Sequence, residues 1–258
     1  MTIDDFEPAE KVAFRGLRPA DAQQFFERVD WLAHHLAIET LGLEHIPEGR
    51  ALMVANHSFG WDVVFPMARI ARALHRQVWV LGEHLWWKVP YLRRWAAAVG
   101  VVDGSPENVD RLLANDELVL VLPGGLREAV KPRELRYKLL WGQRYGFVRA
   151  ALRNRAPLLP LAAVGTDEVF DFMGNAFTRG TRWLNPLGLP LPVPSRLVPF
   201  PHRMIRARFL LGEPVVPNEG PEAASDELVV RRLRREVEGG LHELIEAELA
   251  RRAGIDLS

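Results

Sequence analysis

Short apolar runs alternate with amphipathic stretches through most of the chain. Six runs have the length and residue types of buried strands, at residues 51–54, 77–81, 99–102, 118–122, 158–164 and 206–211. Segments with helical periodicity lie between these runs or follow them, most clearly at 106–115, 142–155 and 222–252. The sequence leaves open whether Gly239-Gly240 interrupts the last helix. Because strands that alternate with helices form parallel or mixed sheets covered on both faces, this pattern predicts a single α/β domain.

An amphipathic helix is predicted on the N-terminal side of this domain, as a helical addition to it. Four apolar residues recur at spacings of four and three and share one helix face: Phe25, Val29, Leu32 and Leu36. We expect this face to pack on the sheet, with lipid contact as the alternative, and Gly42 to end the helix. Residues 1–20 are predicted to form a loose arm and 21–258 the domain, with a motif-bearing core at about 45–215.

Composition narrows the classes of protein to which the chain can belong. Hydrophobic residues at 48% and charged residues at 26% of 258 are typical of a globular protein rather than a disordered one. The chain has no cysteine, which excludes disulfides, thiolate nucleophiles and cysteine-ligated metals. Acidic and basic residues balance at 33 each, so there is no net charge to attract nucleic acid.

Neither a secretory signal nor a membrane-spanning helix is predicted. Residues 1–10 are acidic and lack a basic region followed by an apolar one. No uncharged apolar stretch approaches the roughly 20 residues that cross a bilayer. We therefore expect a cytoplasmic protein that associates peripherally with the inner face of the cell membrane or remains soluble.

Several kinds of catalysis are not indicated by the sequence. The chain lacks the glycine-rich signatures of dinucleotide and P-loop sites, and it lacks the H-E-x-x-H zinc signature. None of its five serines stands in G-x-S-x-G, the signature of a nucleophile-elbow hydrolase. General acid–base chemistry remains, and no bound metal or cofactor is expected.

His57 and Asp62 form the first candidate for such chemistry. They are five residues apart, which corresponds to roughly 140° around a helix, so they would not meet if both were helical. They can meet if His57 lies on the strand-to-helix turn and Asp62 in the first helical turn, where the helix N-terminus favours a carboxylate. The Asp would then hold one ring nitrogen and leave the other as a base, although such residues more often only cap a turn.

The chain resembles the glycerolipid acyltransferases, a superfamily that includes lysophosphatidic acid acyltransferases. Asn56-His57 with Asp62 is similar to the H-x-x-x-x-D motif of that superfamily. The block Val-Leu-Val-Leu-Pro-Gly-Gly-Leu-Arg-Glu at 119–128 resembles the third motif, in the form found in the diacylglycerol and phytol-ester acyltransferase branch. Segment 100–104 resembles the second motif without its terminal Arg, and 157–161 resembles the fourth.

This resemblance implies transfer of an acyl group from a thioester of CoA or acyl carrier protein to the hydroxyl group of a lipid alcohol. His57 would take the hydroxyl proton and Asp62 would orient the imidazole ring, without an acyl-enzyme intermediate. The acceptor would be a lysophospholipid, a mono- or diacylglycerol or a long-chain alcohol. Because the second motif lacks its terminal Arg and the third has Gly in place of its Glu, the resemblance favours the less charged acceptors.

The block after strand 118–122 supplies further candidate site residues. Main-chain N–H groups at three positions are candidates for stabilising the oxyanion of the reaction, unless the glycines simply end a strand: Gly124, Gly125 and Leu126. The cationic residues after the glycines are candidates for binding phosphates of CoA or of a phospholipid, and the alternative is that they form a solvated helix face. They are Arg127, Lys131, Arg133, Arg136 and Lys138. Glu128 is expected to bind an acceptor hydroxyl group or to pair with these cations.

A segment rich in aromatic residues and cations, 85–95, is the candidate membrane contact. Its proposed contact residues are Trp86, Trp87, Lys88 and Tyr91. The alternative is that the rings fill the core. Residues 183–201, with six prolines, are predicted to form either a lid over the acyl chain or a rigid surface loop.

Two other functions stay open from the sequence. One is a lipid-binding or lipid-transfer protein of the same fold without catalysis, and the other is a thioesterase that passes acyl groups to water. His34, His35 and His84 lack the spacing of metal ligands and are predicted to be structural.

Overall fold

Within the residues that the structure describes, seven strands pair into one mixed β-sheet. The computed structural model describes residues 19–58, 61–82, 100–168, 170–172, 192–194 and 207–255. The strands are β1 (Glu39–Leu41), β2 (Ala51–Ala55), β3 (Val78–Gly82), β4 (Val101–Asp103), β5 (Leu118–Val121), β6 (Leu158–Val164), β7 (Phe170–Phe172), β8 (Pro192–Pro194) and β9 (Arg208–Leu211). β7 and β8 form a separate antiparallel pair.

The sheet order places β2 at the centre, between β6 and β5. The order is β1-β9-β6-β2-β5-β3-β4, and neighbouring strands run parallel except for the antiparallel pair β6 and β9. Every residue of β2 and β6 is buried, as expected for parallel strands covered on both faces. The carboxyl ends of β5, β2 and β6 therefore lie side by side at one edge of the sheet.

Helices cover both faces of the sheet. They are α1 (Pro19–His35), α2 (Trp61–Leu74), α3 (Pro106–Ala114), α4 (Gly125–Ala129), α5 (Gly146–Asn154) and α6 (Glu227–Ala253). Residues of α1 and α2 pack with Met53 on one face, and residues of α3, α5 and α6 pack with Leu52 on the other. This alternation along β2 follows from the two-residue period of a strand. The prediction of an α/β domain with a mixed sheet flanked by helices is confirmed.

The first helix is shorter than its apolar pattern predicts. α1 ends at His35 instead of continuing to Gly42, because the chain turns at Ala37, which has a φ of 52°. The next residues form β1, which pairs with β9 at the edge of the sheet. Phe25, Val29 and Leu36 pack against the core as expected, whereas Leu32 is 39% exposed.

The C-terminal helix begins later than predicted and is continuous. Residues Pro221–Ser225 form a 3-10 turn, and Asp226 then caps α6 by accepting a hydrogen bond from the Leu228 N–H at 2.8 Å. The helix continues through Gly239-Gly240, and a Cβ atom at Gly240 would lie 3.4 Å from the Pro160 ring of β6. None of the described helices is long and apolar enough to span a bilayer.

Candidate active site

The two main sequence motifs meet where β2 and β5 end. These strands are parallel neighbours with Val54 opposite Val121, so the chain leaves both at the same edge of the sheet. His57 follows β2 and Gly124 follows β5. Asn56 fixes the exit from β2, because its side chain forms two hydrogen bonds with the main chain of Ala163 in β6, at 2.7 and 2.9 Å. In open α/β sheets this edge is the usual place for ligands.

His57 and Asp62 are in direct contact. Asp62 lies in the first turn of α2, and its Oδ2 atom is 2.5 Å from Nδ1 of His57. The same oxygen accepts the main-chain N–H of Ser58 at 2.7 Å. The Asp62 side chain is fully buried, whereas that of His57 is 20% exposed. A carboxylate at Nδ1 keeps the proton on that nitrogen and leaves Nε2 as the acceptor, so the geometry suits a general base; its catalytic role stays a prediction.

The surroundings of His57 favour its charged form. Burial lowers the pKa of the imidazole, but the carboxylates of Asp62 and Glu128 outweigh it, and the pKa is raised above its usual value even with Lys131 opposing. A histidine that becomes an imidazolium during proton transfer is stabilised by these groups. The site is therefore electrostatically suited to accept a proton.

Glu128 contacts the main chain of His57 and is not exposed to a bound acceptor. It is fully buried, its Oε1 accepts the His57 main-chain N–H at 2.7 Å, and its Oε2 accepts the Leu140 N–H at 2.6 Å. Burial raises the pKa of Glu128, although Lys131 and both N–H donors act in the opposite direction. The acceptor contact predicted for Glu128 is thus corrected to a contact with the main chain of His57, because no part of its side chain is exposed.

Lys131 is also buried, which corrects its predicted role in phosphate binding. Its Nζ donates to the His57 carbonyl at 3.0 Å and lies 2.9 Å from Oδ2 of Asp167. Only 3% of the Lys131 side chain is exposed, so its ammonium group is engaged inside the protein. Asp167, which follows β6, was not among the sequence candidates. The signal that would have found it is an acidic residue three positions after the end of β6, the strand next to β2.

In the glycine turn, Gly124-Gly125 after β5, one main-chain N–H group is already hydrogen-bonded within the protein. Gly125 has a φ of 55°, and its N–H donates to the Leu122 carbonyl at 3.0 Å. The prediction that this N–H binds an oxyanion is therefore corrected, since the turn already uses it. Gly124 has an ordinary φ of −67° and is buried next to Glu128. Leu126 packs beside Ala129 and Val130.

The remaining sequence candidates differ in their positions. Arg127, Arg133 and Lys138 are exposed, so they remain available to a phosphate group. His35 of α1 is held by Trp31, whose carbonyl lies 2.8 Å from its Nδ1, which fits a structural role. The candidate membrane residues Trp86, Trp87, Lys88 and Tyr91 lie outside the described residues, as do His84 and most of the predicted lid.

Curated relatives occur in bacteria and animals. The chain is 30% identical over 230 residues to an uncharacterized protein of Mycobacterium tuberculosis, a match that covers 84% of this chain and 63% of the relative. It is 30% identical over 191 residues to the mouse protein named "DGAT1/2-independent enzyme synthesizing storage lipids", covering 74% of this chain and 55% of that protein. The chain therefore spans less than two thirds of the length of these relatives.

The chain also resembles a solved structure and matches a family model. The 1-acyl-sn-glycerophosphate acyltransferase of Thermotoga maritima aligns with a TM-score of 0.49 at 18% identity, over 87% of this chain and 79% of that one. The profile described as diacylglycerol acyltransferase matches residues 47–188, more than half of the chain. The matched range contains the His57–Asp62 pair, the glycine turn and the buried residues Glu128, Lys131 and Asp167. The chain belongs to the diacylglycerol acyltransferase family.

Proposed function

We propose that the protein transfers a fatty acyl group from the thioester of CoA or acyl carrier protein to the hydroxyl group of a lipid alcohol. The observation that carries this proposal is the 2.5 Å contact between His57 Nδ1 and Asp62 Oδ2 at the carboxyl edge of the sheet. Membership of the diacylglycerol acyltransferase family supports the reaction type.

The proposed reaction uses His57 first as a base and then as an acid. Nε2 takes the proton of the acceptor hydroxyl as its oxygen attacks the thioester carbonyl. The tetrahedral intermediate then collapses, the C–S bond breaks, and the thiolate leaving group takes the proton back from the imidazolium. Asp62 keeps Nδ1 protonated and stabilises the positive charge in between. Assistance of this kind contributes about 10²–10⁴-fold to the rate.

The oxyanion of the intermediate requires donors near the glycine turn. Because the N–H of Gly125 is in use, the proposal assigns this role to the amide of Gly124, with the exposed guanidinium of Arg127 as a second candidate. Arg127 and Arg133 are also the exposed cations proposed to bind phosphates of the donor.

The acceptor is proposed to be an uncharged lipid alcohol such as a mono- or diacylglycerol or a long-chain alcohol. Gly124 and Gly125 stand where lysophosphatidic acid acyltransferases carry Glu-Gly, and Gly104 stands where their second motif ends in Arg. The mouse relative is named for the synthesis of storage lipids, which agrees with an uncharged acceptor. Such acceptors reside in membranes, so the proposal includes peripheral contact with the inner face of the cell membrane.

The test is a product analysis with defined donors and acceptors. Purified protein and its His57→Ala variant are incubated with acyl-CoA or acyl carrier protein and, in separate reactions, with lysophosphatidate, monoacylglycerol, diacylglycerol or a long-chain alcohol. We expect His57-dependent esters of the uncharged alcohols by mass spectrometry. A strong preference for lysophosphatidate contradicts the proposed acceptor class.

The same assay separates the two alternative functions. Release of free fatty acid that depends on His57, without ester formation, identifies a thioesterase. Lipid binding without any turnover dependent on His57 identifies a lipid-binding or lipid-transfer protein.

A further inference from the structure

The main chain of His57 is held at both of its polar groups by charged side chains from another part of the protein. Its N–H donates to Glu128 Oε1 at 2.7 Å, and its carbonyl accepts from Lys131 Nζ at 3.0 Å. Glu128 lies in α4, and Lys131 follows two residues after the helix ends. We term Glu128, Lys131 and Asp167 the His57 clamp, because Asp167 in turn binds Lys131 at 2.9 Å.

The clamp is anchored to two further segments. The second oxygen of Glu128 accepts the N–H of Leu140, and Oδ2 of Asp167 accepts the N–H of Tyr137 at 2.7 Å. Asp167 itself belongs to the short 3-10 turn that follows β6. The position of His57 is thus tied to the chain after β5 and to the chain after β6, on either side of β2.

Stability alone does not explain why these residues are charged. Glu128, Lys131 and Asp167 are 0, 6 and 8% exposed, and burial raises the pKa of both acids. Replacing buried ion pairs with apolar residues of similar volume is often neutral or stabilising. One main-chain N–H and one carbonyl could be satisfied by neutral partners without that desolvation cost. We therefore infer that the charges of these three residues serve His57, which they surround.

We propose that Glu128 and Lys131 are positioning residues that act through the main chain of His57 and fix its ring for proton transfer. This inference rests on the function proposed above. Asp62 holds the ring at Nδ1, but the location of Nε2 also depends on where the main chain of His57 lies. A displacement of about 1 Å at a reacting group can cost about 10²-fold in rate. The clamp supplies the second constraint that keeps Nε2 in place.

The first test is kinetic. In Glu128→Gln the amide oxygen can still accept one N–H, but the amide NH₂ cannot accept the other. Lys131→Met keeps the length of the side chain and removes the donor. We expect kcat to fall roughly 10- to 100-fold in both variants, with a much smaller change in KM, because substrate contacts are retained. Lys131→Arg, which keeps a cation, is expected to recover part of the loss.

A matched control lies at the opposite edge of the same two strands. Asp116 precedes β5 and accepts a hydrogen bond at 2.8 Å from Arg50, which precedes β2. Asp116→Asn makes the same acid-to-amide change as Glu128→Gln, far along the strands from His57. We expect it to leave kcat within about twofold of the wild type, because surface ion pairs contribute little.

The second test observes His57 directly by NMR of protein with isotope-labelled histidine. Because Glu128 raises the pKa of His57 and Lys131 lowers it, Glu128→Gln is expected to lower that pKa and Lys131→Met to raise it. If the pKa of His57 moves in opposite directions in the two variants while kcat falls in both, the loss of kcat cannot come from the pKa change. It must then come from the lost positioning of His57. A residue that only stabilises the fold would change the melting temperature and leave kcat per folded molecule unchanged, which would overturn the proposal.

The two tests also separate this inference from the proposed function. If the wild type shows no acyl transfer that depends on His57, the proposed function fails, but the NMR experiment still applies. An unchanged His57 pKa and an unchanged Nδ1–H resonance in both folded variants would then overturn the clamp.

Discussion

One oxygen of Asp62 holds both the His57 ring and the chain that follows it. Oδ2 accepts from the ring at 2.5 Å and from the Ser58 N–H at 2.7 Å, while Oδ1 is buried with no hydrogen-bond partner in the part of the chain that the structure describes. The carboxylate therefore orients the imidazole and fixes the turn on which it stands. Its negative charge and its geometry can be tested separately.

Replacing Asp62 with Asn keeps the shape of this side chain and removes the charge. We expect acyl transfer to fall by about 10²-fold or more, because the imidazolium loses its closest counter-charge. The pKa of His57 should fall as well, so the acidic limb of the pH profile moves to lower pH. Asp30→Asn is the control, since Asp30 of α1 pairs with Arg72 of α2, the helix that also carries Asp62. If the acidic limb of the pH profile is unchanged in Asp62→Asn, the proposed pairing of Asp62 with His57 is contradicted.

The wild-type pH profile follows from the raised pKa of His57. The base must be neutral to accept a proton, so activity is lost as pH falls through the pKa of the imidazole. Burial lowers this pKa, Asp62 and Glu128 raise it, Lys131 lowers it, and the net direction is upward from 6.5. We therefore expect kcat/KM to decline below a midpoint that lies above 6.5. A midpoint below that value would mean that burial dominates over the carboxylates.

Gly124→Ala tests the space that Glu128 needs. A Cβ atom at Gly124 would lie 2.1 Å from Oε2 and 2.4 Å from Cβ of Glu128, so Glu128 must move. Because the φ of Gly124 is −67°, backbone strain is not the cause. We expect acyl transfer to fall at least tenfold while the protein still folds. Gly146→Ala is the control, since nothing lies within 4 Å of its added Cβ, and normal activity is expected there.

Glu248→Gln tests the anchoring of the C-terminal helix. Glu248 of α6 is 3% exposed and binds three cations, Arg208 of β9 and Arg251 and Arg252 of its own helix. Burial raises the pKa of Glu248, but the three arginines outweigh it and lower the pKa from 4.5 to about 2. We expect the variant to lose roughly 3 kcal/mol of the free energy of unfolding at pH 7, measured with urea.

The pH dependence of this loss has a defined direction. A carboxylate with a lowered pKa in the folded state contributes stability above pH 4.5 that disappears as pH falls toward 2. The difference between wild type and Glu248→Gln should therefore shrink across this range. Glu227→Gln, at the exposed start of the same helix, should cost less than about 1 kcal/mol. Equal losses in the two variants would contradict the burial argument.

The membrane contact proposed for Trp86 and Trp87 can be tested by flotation with liposomes that contain anionic lipid. A variant with both residues changed to Ser should show a smaller lipid-bound fraction, because interfacial tryptophans contribute to binding at the headgroup region. Trp31→Ser is the control, since Trp31 of α1 is a tryptophan that is 61% exposed and lies outside the aromatic segment 85–95 of the sequence. An unchanged bound fraction in the double variant removes the anchor from the proposal.

The buried strands were predictable from the sequence because burial on both faces produces continuous apolar runs. β6 has the predicted bounds, Leu158–Val164, and β2 and β5 differ from theirs by one residue. β1 was missed, since it has three residues, two of them exposed, and no apolar run marks it. α1 was predicted too long because Leu36 continues the apolar period past the point where the backbone turns.

The candidate site was predictable in its residues but not in all of its contacts. The turn and the first helical turn expected for His57 and Asp62 are where the structure has them. Glu128 and Lys131 were recognised as charged residues near the site, but sequence does not reveal that both are buried. Asp167 comes 110 residues after His57 and only the pairing of β6 with β2 brings it near.

The sheet order has a consequence for how the protein acquires its activity during refolding. His57 and Asp62 are five residues apart, whereas Glu128 is 71 residues from His57 and Ala163 is 107 residues from Asn56. Contacts between distant parts of a chain form slowly, because a long loop must close before they contribute. Recovery of turnover is therefore expected to follow the slow closure of β5 and β6 around β2, well after the circular dichroism signal of the helices has returned.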